Sequence, residues 1–125
     1  MKKLTTWINI TSIALIILGL IHLIALIKVA PMYKNLSEGQ FSVFTFMYLA
    51  TGLGTVLPGL ISKLQINALK DKSKRAWKTL FICSIYAMII GIGAVIQMTR
   101  NSFAYLDLVI SISLLIPTIL IKKQI

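Results

Sequence analysis

The chain has 125 residues, of which 58% are hydrophobic and 13% charged, and its mean hydropathy is +0.90. That balance excludes a soluble domain of this size and reads as an integral membrane protein. A net charge of +10 suits nucleic acid only when the cations form an accessible face with aromatic platforms; here they flank apolar runs, so no nucleic-acid partner is expected.

Crossing ~30 Å of hydrocarbon takes ~20 helical residues at ~1.5 Å rise each. Four apolar runs, at about 7–28, 41–62, 76–98 and 103–121, meet that length. The strict alternation of a transmembrane β-strand is absent from them. The chain is therefore expected to be an all-α membrane protein, a single domain built as an up-down bundle of four transmembrane helices.

The first run follows Met1-Lys2-Lys3, as a signal peptide would, but its apolar stretch is longer than the usual ~7–15 residues. Its small-residue exit, Lys28-Val29-Ala30, carries a charge and runs into Pro31. It reads as an uncleaved first span. Asn9, Ser12, Gly19 and His22 recur on one face of it. The short connection that follows holds Lys28, Lys34 and the interfacial aromatic Tyr33.

The second run steps by three and four through Thr45, Tyr48, Gly52, Thr55, Gly59 and Ser62. Gly52-Leu53-Gly54 lies inside this span and serves helix packing, not phosphate binding. Pro58 is expected to kink the helix near its end, as is Pro117 in the fourth run. After it comes the densest charge in the sequence, Lys63, Lys70, Lys72, Lys74, Arg75 and Lys78, read as a connection and its flanks.

The third run places Thr79, Cys83, Ala87, Gly91 and Ala94 on one face, and the fourth places Ala104, Asp107, Ser111 and Thr118. In lipid, small residues let backbones approach and hydroxyls bond across helices, so the four stripes are expected to face one another inside the bundle. Cys83 is the only cysteine, which excludes an intrachain disulfide and makes it a packed small residue. A faint repeat superposes Phe44 on Phe103, Leu49 on Leu108, Pro58 on Pro117 and Lys63 on Lys122, as if the second and fourth runs were related.

Orientation follows from the cations, which resist translocation. Ten of the thirteen lie in the N-terminal segment (Lys2, Lys3), the central connection with its flanks, and the C-terminal segment (Lys122, Lys123). Only Lys28, Lys34 and Arg100 lie on the other side. Both termini are expected in the cytoplasm of a multi-pass protein of the cell membrane, most naturally a bacterial cytoplasmic membrane. Trp7 and Trp77 then anchor the inner face, and Lys70, Lys72, Lys74, Arg75 and Lys78 meet an anionic inner leaflet at ~1 kcal/mol per cation.

With the ends assigned, His22, Tyr48 and Asp107 fall at outer-half depths within ~4 Å of one another at ~1.5 Å per residue, and Gln97 lies nearer the surface. An intramembrane Asp or His needs a partner or water, at ~2.5–3.5 kcal/mol for an unpaired central Asp. Two arrangements satisfy that need. In one, His22, Tyr48, Asp107 and Gln97 form the polar end of an outward-facing ligand pocket; in the other, Asp107 caps its helix or reaches the outer interface, Arg100 pairs with it, and His22 bonds a neighbouring hydroxyl.

Gly19-Leu20-Ile21-His22 in the first span, and Tyr48-Leu49-Ala50-Thr51-Gly52-Leu53-Gly54 followed by Pro58-Gly59-Leu60 in the second, resemble the DoxX-like group of small four-helix bacterial membrane proteins. The resemblance covers mainly the first half of the chain, and His22 stands where a basic residue is common in that group. It implies a four-helix inner-membrane protein, with redox- or quinone-linked roles in some members. The glutamate that small multidrug transporters carry in their first span and the Asn and Arg pattern of fluoride channels have no counterpart here.

The leading functional expectation is a non-enzymatic accessory subunit or a binder of a lipid-like or quinone-like ligand, with a homodimer or another membrane protein as possible partner. A homodimeric transporter or channel is second, although the inner halves of the spans offer only Ser, Thr and Gly. An enzyme is third, since His22 and Asp107 are the only acid–base pair. No metal site or cofactor is expected, because one histidine cannot supply paired haem ligands and no carboxylate cluster exists.

Overall fold

The computed structural model describes residues 1–125 and is all-helical. α1 runs Lys2–Val29 and continues as a 3₁₀ turn, Ala30–Tyr33. α2 is Glu38–Leu64, α3 is Ile66–Lys70, α4 is Lys74–Gln97 and α5 is Ser102–Ile121, with a 3₁₀ turn at Lys122–Gln124. Four of the helices, α1, α2, α4 and α5, are long and apolar enough to cross a membrane. That is the build of a multi-pass membrane protein.

Short polar segments set the helix starts. Ser37 and Gln40 form a capping box: the Ser37 hydroxyl accepts from the Gln40 amide at 3.3 Å, and the Gln40 side chain accepts from the Ser37 amide at 3.1 Å. Ser73 accepts from the Ala76 amide at 3.2 Å to open α4, and Asn101 accepts from the Phe103 amide at 3.0 Å to open α5. The basic connection, read from sequence as a loop, contains α3. That helix ends in a Schellman turn, with Ser73 N–H bonded to the Ala68 carbonyl, Lys72 N–H to the Leu69 carbonyl, and Lys72 itself left-handed at φ 57°.

α1 packs against α2 and α5, and α4 packs against α2 and α5. Around the bundle the order is thus α1, α2, α4, α5, each antiparallel to its neighbours through the short connections, with α1/α4 and α2/α5 as diagonals. Met1–Leu4 share a cleft with Leu120, Lys123 and Gln124, and Thr5, Thr6 and Asn9 share one with Lys63 and α3. Both termini and the central basic connection therefore meet at one end, the basic end. The opposite, far end carries the α1–α2 and α4–α5 connections.

Most members of the four predicted stripes lie in the interior, while Asn9, His22, Thr45, Tyr48 and Thr79 are half-buried. Ser12, Gly19, Gly52, Thr55, Gly59, Ser62, Cys83, Ala87, Gly91, Ala94, Ala104, Asp107, Ser111 and Thr118 are all buried. Large aliphatics such as Ile10, Ile27, Ile82, Ile96 and Val109 point outward, the reverse of a soluble core and the arrangement that acyl chains favour. Toward the basic end the centre fills with Ile8, Leu15, Leu69, Leu80, Leu114 and Ile121, all fully buried. α2 and α5 continue as helix through Pro58 and Pro117, both buried. Each proline leaves the carbonyl four residues before it without its usual partner.

Trp77 ties the start of α4 to the end of α5. Its indole N–H donates to the Thr118 carbonyl at 2.8 Å, and the Lys122 ammonium lies 5.1 Å from its ring centroid. Ser84 and Thr118 share a second bond between these helices, at 3.3 Å. Trp77→Phe keeps one aromatic ring but removes the indole donor and part of the bicyclic surface, so it is expected to lower stability by at least about 0.5–1.5 kcal/mol. Chemical unfolding in detergent micelles checks this, and an unchanged midpoint would show the bond to be exchanged for water without cost.

Candidate functional site

The far end gathers His22, Tyr48 and Asp107 from three different spans. His22, on the last two turns of α1, stacks on Tyr48 of α2 with ring centroids 4.4 Å apart and planes 16° from parallel. The stack continues through Phe44, 4.9 Å from Tyr48, to Tyr33, 4.3 Å from Phe44. Such a ladder forms because His22 leads into the 3₁₀ turn that brings Tyr33 back over α2, where Phe44 and Tyr48 are one turn apart on one face.

This ladder walls a groove of about 270 Å³, completed by Met47, Thr51, Gln97, Met98 and Asn101. Met47 and Gln97 are exposed, so the groove opens at the molecular surface. Ligand pockets generally run ≈ 300–1,000 Å³, and this one is at the lower edge of that range. It has room for a single ring or a head group.

Behind the groove lies a second, much smaller cavity of about 20 Å³, whose lining includes His22, Thr51, Thr55, Asn101 and Asp107. His22, Thr51, Met98 and Asn101 line both spaces and so form the partition between them. Asp107 reaches across the α2/α5 diagonal: its Oδ2 lies 3.3 Å from the Thr55 hydroxyl, while its Oδ1 has no partner. His22 Nε2 is also buried and unpartnered.

Of the two arrangements open from sequence, helix capping and an Arg100 pair are both overturned for Asp107. Asp107 is 5% exposed and bonds Thr55, Arg100 is exposed, and Asn101 caps α5. Nor does His22 bond a hydroxyl; it stacks on Tyr48. The structure brings His22, Tyr48 and Gln97 to one groove, and His22 and Asp107 to the cavity behind it. Thr51, Met98 and Asn101 were missed as site residues. Thr51 lies off the small-residue stripe, and Met98 and Asn101 sit in a connection where helical periodicity gives no signal.

At the basic end Lys70, Lys72, Lys74, Arg75 and Lys78 are all exposed around the Schellman turn. No family model, curated protein or solved structure matches the chain.

Proposed function

We propose that this is a non-enzymatic small protein of a bacterial cytoplasmic membrane, an accessory subunit or carrier that binds a lipid-like or quinone-like molecule by its ring or head group. The observation that carries the reading is the stacked His22–Tyr48 pair on the wall of a surface-open groove. A flat aromatic wall beside Thr51, Gln97 and Asn101 offers dispersion to a planar or alkyl group and hydrogen bonds to its polar end. The likeness to DoxX-like proteins agrees with this reading.

The same reading places both termini and the basic end in the cytoplasm, on the positive-inside distribution of the cations. Lys70, Lys72, Lys74, Arg75 and Lys78 then contact anionic lipid of the inner leaflet. The groove faces the outer half of the bilayer. Toward the basic end the buried polar groups are hydroxyls alone, set among Ile8, Leu15, Leu80, Leu114 and Ile121, and the absence of a buried acid or base there favours a binder over a proton-coupled conduit.

Native mass spectrometry of the detergent-purified protein tests the proposal. The expected result is a defined co-purifying lipid or quinone mass that falls at least about tenfold in occupancy in Tyr48→Ala and His22→Ala, whose protein levels stay normal. A bare dimer that drives proton-coupled flux in liposomes would replace this reading with the homodimeric transporter.

A further inference from the structure

We propose that His22 and Asp107 form a two-residue proton site, holding one exchangeable proton between them across a single water in the cavity behind the groove. Three observations converge on it. First, five buried polar side-chain atoms lack a partner, and the two that belong to cavity-lining residues are His22 Nε2 and Asp107 Oδ1. Buried polar atoms in an apolar bundle require a partner, and the residues that carry the two open valences line the same space.

Second, that space fits the partner. A water needs about 10–15 Å³ of cavity and two to four polar neighbours. The cavity holds about 20 Å³, and Thr51, Thr55 and Asn101 line it together with His22 and Asp107, the residues that carry the two orphaned atoms. One water satisfies Oδ1 and Nε2 together, and a larger guest is excluded.

Third, the hydroxyl geometry leaves a place for the proton. The Thr55 hydroxyl lies 2.9 Å from the Thr51 carbonyl and 3.3 Å from Asp107 Oδ2, yet it has one hydrogen to give. When that hydrogen points to the shorter contact, the Asp107 contact is a hydrogen bond only if the carboxyl is the donor. When it turns to Asp107, the carboxylate accepts, and the extra proton resides on His22. Both arrangements contain the same atoms and the same net charge of zero: the carboxyl turns to bring its protonated oxygen to the water, which takes that proton and passes one of its own to Nε2. A neutral pair is also what a bilayer tolerates where a lone carboxylate is not.

The titratable groups facing the pair are few. Tyr48 of α2 stacks on the imidazole, Tyr33 after α1 shares the groove with His22, Ala94 and Met98 carry no titratable group, and Arg100 in the α4–α5 connection is exposed. The site stands whether or not the groove takes a ligand.

His22 is the only histidine, and Asp71 and Asp107 are the only aspartates, so isotopic labelling isolates both members. The test is a pH titration of the ligand-free full chain in detergent, reading the ¹⁵N imidazole of His22 and the ¹³C carboxyl of Asp107, with Asp71→Asn to assign the carboxyl. In the wild-type chain both signals are expected to move through the same midpoints, as coupled sites do. Asp107→Asn is expected to change the proton affinity of His22 by about tenfold or more, and His22→Gln to change that of Asp107 by the same factor, because linkage is reciprocal. Independent midpoints in the wild type, or a partner signal unmoved by either substitution, would overturn the proposal. If one variant does not fold, the other and the wild-type titration each decide alone.

Discussion

Gly19→Ala is expected to destabilise the bundle by about 1–3 kcal/mol, the range for forcing extra volume into a packed interior. A Cβ at this position lies 2.8 Å from both the Gly52 carbonyl oxygen and the Val56 amide nitrogen, and 2.5 Å from a Val56 methyl. Two of the three obstacles are backbone atoms of α2, so relief requires the helices to separate rather than a side chain to turn. Gly59 makes the same demand one helix over, where a Cβ meets the Ser12 carbonyl oxygen at 2.8 Å. Gly93 supplies the control. A Cβ there meets nothing within 4 Å, so Gly93→Ala should be neutral or stabilise by up to about 1 kcal/mol through helix propensity. Unfolding of the three alanine variants in mixed micelles ranks them, and equal midpoints for Gly19→Ala and Gly93→Ala would refute close α1/α2 packing as a source of stability.

Thr55→Val should cost about as much, 1–3 kcal/mol by the usual penalty for orphaning a buried polar atom. The valine keeps the shape of the threonine and removes the one protein hydrogen bond to Asp107 Oδ2, leaving a carboxyl that is 5% exposed with no protein partner on either oxygen. Adding Asp107→Leu to Thr55→Val should return most of that loss, since leucine puts methyls in place of the two carboxyl oxygens and removing both members of a buried polar pair is close to neutral. A double-mutant cycle reads the coupling directly. Additive effects would show that the cross-bundle bond contributes nothing to stability.

The interior was legible because a membrane helix hides its small and polar residues, and those residues announce their period. Gly52, Thr55, Gly59 and Ser62 step around α2 at helical spacing, and each is buried as that spacing implies. His22, Tyr48 and Asp107 were legible through depth, since rise per residue is fixed even where lateral position is not.

What periodicity could not give was the rotation of each helix against its neighbours. It matched His22 and Asp107 in depth but could not tell that Tyr48 stacks on the imidazole, or that Asp107 crosses the diagonal to Thr55 and not along an edge to Arg100. α3 was missed because five residues are too few to establish a helical period. Thr51 and Asn101 entered the site through backbone position alone, one beside the stripe and one at a helix cap.

The glycines also divide the bundle into two hairpins. Gly19, Gly52 and Gly59 lock α1 to α2, and Gly91, whose Cβ would meet the Leu108 Cα at 2.9 Å, locks α4 to α5. Each hairpin can therefore close on itself before the two meet. His22, Tyr48 and Thr55 arrive with the first hairpin, and Asn101 and Asp107 with the second. The partition between groove and cavity exists only once the hairpins have docked, so the site doubles as a quality mark: a half-assembled chain has none to offer.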